Sequence, residues 1–196
     1  MDNNEQNPEY QLLLNRLQDP NVNKWEKSKI RAKLGIYLKL EEGDFDKPHD
    51  HNYSTFFYDY ISDHIGRLKK NDASFQFDHL PQPIKTIYYL WGFSSVFESD
   101  GFKDYAESAL DEYEKRNGYS LRDDKTNILN GLEILGLTED KKLLEDIWSK
   151  TENITDDEIT KLQQRFWDAD YKADFEARLT NFIKDHPKEL LELQNL

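Results

Sequence analysis

Three groups of side chains in this sequence have the types and spacing to do chemistry. His49-Asp50-His51 sets two imidazoles and a carboxylate side by side, the ligand types a zinc or related ion takes. Ligands separated by one residue share a face on a strand, but these sit in a polar connection and no further ligand follows at a metal-site spacing. A solvated loop is the stronger reading. His64 is an imidazole of the kind that serves as a base, yet it falls within Phe56, Phe57, Tyr60, Ile61, His64, Ile65 and Leu68. On that apolar helical face a hydrogen-bonded core residue is the simpler expectation.

The third group is the acidic row Asp100, Asp104, Glu107 and Asp111, whose intervals of four, three and four place it on one face of a helix. Phe102 and Tyr105 take the opposite face. Like charges at such intervals destabilise an isolated helix by about 0.2–0.5 kcal/mol per pair, so the arrangement carries a modest cost. Glu112, Glu114, Asp123 and Asp124 extend the patch, and Glu139, Asp140, Asp156 and Asp157 add to it from neighbouring helices. Those last four stand in first turns, where the helix dipole favours negative charge and already accounts for them. Duplex DNA presents one negative charge per about 1.7 Å of axis. A protein surface imitates it only with many carboxylates on rigid elements, so four acids alone are too few, and a solvated helix face is the competing reading.

Other chemistries have no residues to carry them. There is no cysteine, which removes disulfides, thiolate metal sites and a cysteine nucleophile together. Phosphate-cradling glycine loops, the Gly-x-Ser-x-Gly turn and the His-Glu-x-x-His helix are absent. No catalytic residue, cofactor or metal is assigned, and the chain is not read as an enzyme.

Charge points towards a partner instead. The net charge is −13, from 39 acids against 26 bases, which repels nucleic acid and anionic lipid and favours basic proteins. Direct nucleic-acid binding and membrane association are not expected. No apolar run is long enough to cross a bilayer, and the first residues lack a basic region followed by an apolar stretch; with no cysteine, a reducing cytoplasm is the expected location. Lys24, Lys27, Lys29, Arg31, Lys33 and Lys39 cluster early, while acids crowd 98–158. One end could dock on the other, within a chain or between two copies as a homodimer.

The elements that must position these residues are helices. Hydrophobic periodicity predicts an all-α protein of about nine or ten helices packed around a central helix near 84–97, where Ile84, Ile87, Leu90, Trp91 and Phe93 occupy most of the circumference. Asn7-Pro8 opens a first helix and Pro20 ends it. A second is predicted from about 23 to 42, and Ser54 is placed to cap a third. Residues 117–124 read as a polar loop, followed by helices at 128–135, closed by Gly136, and 138–150. Thr155-Asp156-Asp157-Glu158 is a capping box, and Pro187 starts a short final helix. An N-terminal helical region, 1–72, is expected to pack on a main helical domain, 80–190.

The stretches Leu80-Pro81-Gln82-Pro83-Ile84, Tyr88-Tyr89-Leu90-Trp91 and Phe97-Glu98-Ser99-Asp100-Gly101-Phe102-Lys103-Asp104-Tyr105 resemble a bacterial domain family named after a DNA-mimic protein. Weaker likeness continues through 128–137, Phe166-Trp167 and Phe182-Ile183-Lys184-Asp185-His186-Pro187, so that it spans 80–187. The family's turn reads Asn-Asn-Gly-Gly-Phe; here Glu98-Ser99-Asp100-Gly101-Phe102 keeps the second glycine and the phenylalanine. The resemblance implies an all-helical fold with Trp91, Gly101, Phe102 and Tyr105 as its structural motif. For the family's namesake it implies an acidic surface that occupies the DNA-binding site of a transcription regulator. Two other readings stand beside it: an immunity-type inhibitor of a basic toxin such as a nuclease, and an uncharacterised enzyme or metal protein built on His49, Asp50, His51 and His64.

Overall fold

A computed structural model of the protein describes residues 8–47, 53–98, 121–149 and 156–196, and every regular element among them is helical. In chain order the α-helices are α1 (Pro8–Gln18), α2 (Lys24–Leu34), α3 (Tyr53–Asn71), α4 (Gln82–Glu98), α5 (Leu121–Ile134), α6 (Thr138–Ser149), α7 (Asp156–Trp167), α8 (Ala169–Asp185) and α9 (Pro187–Leu193). Short 3-10 turns cover Glu42–Phe45 and Phe77–His79.

The architecture follows from one apolar helix. α4 is buried along its length at Ile84, Ile87, Leu90 and Phe93, and it packs against α3, α5, α7, α8 and α9. This is the central helix that its all-round hydrophobicity predicts. α5 comes closest, because Gly131 has no side chain to hold it away: a Cβ there would lie 2.8 Å from Leu90 Cγ. α3 and α8 complete the core with Phe57, Tyr60, Ile61, Phe175, Leu179 and Ile183, all at most 2 % exposed. The Tyr60 hydroxyl donates to the Leu190 carbonyl at 2.7 Å, which ties α9 to α3.

Helix ends obey local chemistry. Asn23 caps α2 through Oδ1, which accepts from Glu26 N–H at 2.9 Å. Asp168 caps α8 by accepting from the N–H groups of Asp170 and Tyr171, and Pro187 occupies the first turn of α9. Gly136, at φ +73°, closes α5 as expected: Leu137 N–H returns to Leu132 O at 2.8 Å and Gly136 N–H to Glu133 O at 2.9 Å, the paired bonds of a left-handed C-terminus.

Three expectations need correction. The second helix does not continue to 42. It stops at Leu34, because Gly35 turns left-handed at φ +68° and Ile36 N–H returns to Arg31 O at 3.0 Å. An irregular strap, 35–41, follows, and it buries Leu40 in the core. Ser54 does not cap α3; it lies inside the first turn, and its hydroxyl donates to Glu176 of α8 at 2.8 Å. Finally, 121–124 belong to α5 rather than to a loop.

Candidate protein-binding surface

The acidic row at Asp100, Asp104, Glu107 and Asp111 lies outside the described residues, as do Glu112, Glu114, Gly101, Phe102, Tyr105 and the triplet His49-Asp50-His51. The chain enters 99–120 from α4 and leaves it into α5, which pack closely on each other. Of the structural motif, Trp91 is described. Its ring stacks on Tyr58 with centroids 3.8 Å apart, and its Nε1–H donates to Thr55 Oγ1 at 3.1 Å. Trp91 is therefore a clasp between α3 and α4.

The acids expected to extend the patch separate into two kinds. Glu139 is 82 % exposed at its side chain, whereas that of neighbouring Asp140 is 2 % exposed. Asp140 faces inward because it is one member of a cluster that joins three helices: Arg165 Nε of α7 lies 3.2 Å from its Oδ1, and the Arg165 guanidinium sits 5.5 Å above the Tyr171 ring of α8. Burial raises the Asp140 pKa above the ordinary carboxylate range, against the pull of Arg165. Burial likewise pushes the Tyr171 phenol up, helped by Asp140. Asp140 is a buried tie and contributes nothing to an outer face.

Around it the sequence is rich in acids. Residues 133–174 carry twelve acids against six bases, and Asp146, Asp157 and Asp170 are exposed. Several acids have surface partners, Lys141 with Glu133 at 2.6 Å, Arg165 with Glu139 at 3.4 Å and Arg178 with Asp174 at 2.8 Å. Exposed pairs of this kind hold about 0.2–1 kcal/mol and are released readily to a competing cation.

The opposite charge is kept elsewhere. Residues 24–39 hold six bases and one acid, and α2 packs chiefly on α1 and α3. Arg31 pairs with Asp63 of α3 at 2.9 Å, with the two side chains 14 % and 8 % exposed; Arg16 of α1 pairs with Glu26. Lys29, Lys33 and Lys39 are exposed. The basic helix is thus seated on its own hairpin and on α3, and α6, α7 and α8 are not its chief packing partners.

His64 is a core residue, 3 % exposed, with Nε2 at 2.8 Å from the Leu38 carbonyl oxygen. Among the described residues no cluster of three or more histidine, aspartate or glutamate side chains is arranged to hold a metal ion, and no helix is long and apolar enough to cross a membrane. Compared with protein-family models, curated proteins and solved structures, the chain matches none of them.

Proposed function

We propose that the protein is an acidic protein-binding module that engages a basic partner, and that its specific form is mimicry of DNA towards a transcriptional regulator. Asp100, Asp104, Glu107 and Asp111, extended by Glu112 and Glu114, are the contact face in this reading. The observation that carries it is segregation of charge: a net −13 chain keeps five net positive charges on 24–39 and six net negative charges on 133–174, and α2 packs chiefly on α1 and α3. A DNA-binding surface is built to neutralise closely spaced anionic oxygens, and a rigid carboxylate face offers it the same interaction. The resemblance over 80–187 to a DNA-mimic-like family points the same way. A cysteine-free chain of this kind belongs to the cytoplasm, where regulators work.

The same charge layout supports a second reading, an immunity-type inhibitor of a basic toxin such as a nuclease. The two differ only in partner. Affinity capture from native lysate at low salt, eluted by a salt gradient, separates them. A DNA-binding protein released by salt and displaced by its own DNA supports mimicry, and a toxin supports inhibition. Association that persists unchanged as salt rises counts against both, because interactions between exposed charges are screened beyond about 8–10 Å at physiological ionic strength.

A further inference from the structure

A cleft of about 660 Å³ opens between the strap 35–41, α3 and the end of α9, with Tyr37, Lys39, His64, Arg67, Gln194 and Asn195 in its wall. In a chain with 39 acids, no carboxylate side chain lines it. Arg67 is half-buried there. One Nη2–H donates to the Leu193 carbonyl at 3.2 Å and the guanidinium lies 5.9 Å over the Tyr37 ring. Its Nε is buried without a hydrogen-bond partner, and among the described residues Arg67 makes no ion pair. A half-buried guanidinium without a counter-ion retains most of its desolvation cost. Asp63, one turn before it on α3, pairs with Arg31 at 2.9 Å.

The walls around this cation are fixed. His64 holds the strap to α3 through Nε2–H donating to Leu38 O at 2.8 Å, and burial lowers its pKa. Its Nδ1 is buried without a hydrogen-bond partner. The side-chain amide of Gln194 clamps both polar groups of Leu40, accepting from N–H at 3.4 Å and donating to the carbonyl at 3.5 Å. Lys39, at the rim, is exposed. A cleft of this size, within the range that small ligands occupy, therefore carries two cations and an aromatic ring.

The geometry points to an anion-binding site for a small organic dicarboxylate. One carboxylate accepts from the free Nη edge of Arg67 at the Tyr37 face, and the second meets Lys39 at the rim. This site lies apart from the acidic face and does not depend on the function proposed for that face.

The test is an NMR titration of the full chain with sodium succinate, and separately with inorganic phosphate, at ionic strength held by sodium chloride. The Arg67 Nε–H and His64 ring signals report the site. Succinate is expected to give saturable single-site shifts, with phosphate weaker and chloride without effect. Arg67→Gln should weaken succinate binding by about tenfold or more, the loss of a charge-assisted hydrogen bond. Lys39→Gln, at an exposed position that leaves the fold intact, should weaken it several-fold. Saturation by phosphate with no response to succinate would overturn the dicarboxylate assignment. Linear shifts without saturation, or binding unchanged in Lys39→Gln, would overturn the site.

Discussion

Replacing Gly131 with alanine isolates the contact on which the central helix pair depends. A Cβ at 131 would stand 2.8 Å from Leu90 Cγ and 3.0 Å from each of its Cδ atoms, against the roughly 3.5–4.0 Å of a normal carbon contact. Leu90 is 0 % exposed, so it has nowhere to retreat without moving the core. Overpacking of this kind costs about 1–3 kcal/mol, while alanine in place of glycine within a helix gains about 0.8–1 kcal/mol. The net expectation is a loss of about 1 kcal/mol, or about 2–4 °C in Tm for a chain of this size. The cycle with Leu90→Ala makes the cause visible. Leu90→Ala alone costs about 2–5 kcal/mol, but it removes the atoms that the new methyl strikes. Adding Gly131→Ala to that background should therefore stabilise by about 1 kcal/mol, reversing its sign. Urea unfolding followed by far-UV circular dichroism gives all four values. Stabilisation by Gly131→Ala in both backgrounds would refute the close approach of α4 and α5.

Gly136→Ala forces an L-residue to φ +73° and should cost about 1–2 kcal/mol, read by the same unfolding curves. The Asp140 pKa is raised in the folded state by burial, so its share of stability is full at pH below the ordinary aspartate value of 3.8 and is lost as pH rises through the folded pKa. Asp140→Asn lacks that loss, and its stability relative to the wild type should rise across the same interval of a pH series. Arg31→Ala removes the guanidinium that pairs with Asp63, whose side chain is 8 % exposed, and should cost about 3–5 kcal/mol locally. Limited proteolysis should then cut the α1–α2 hairpin first, because α1 has no buried residue and α2 packs chiefly on α1 and α3.

What the sequence made legible was whatever is local. The apolar spacing of 56–68 and 84–97 identifies α3 and α4, Gly136 marks the end of α5 and Pro187 the start of α9, and His64 on an apolar stripe is the core residue expected. Gly35 carried the same kind of signal as Gly136, but Tyr37 and Leu38 continued the helical spacing and masked it. Their burial comes from a strap laid on α3, which a periodicity argument cannot distinguish from one more helical turn. Non-local pairings were out of reach. Arg31 meets Asp63 across 32 residues and Gln194 meets Leu40 across 154, and Asp140 looks like an ordinary first-turn acid until Arg165 and Tyr171 close over it. The cleft at Arg67 is hidden for that reason, since its wall is assembled from the strap, α3 and the C-terminal residues.

The central claim is that the acidic face is what a partner binds, and reversing it is the direct measurement. Asp100, Asp104, Glu107 and Asp111 changed together to lysine should abolish association with the captured partner. Reversal of Asp146 and Asp170, exposed acids on α6 and α8, should weaken it less, and thermal unfolding should verify that each variant folds. Wild-type affinity should also fall steeply as salt is raised. A folded quadruple variant that binds as tightly as the wild type, or wild-type binding that is indifferent to salt, would contradict the account.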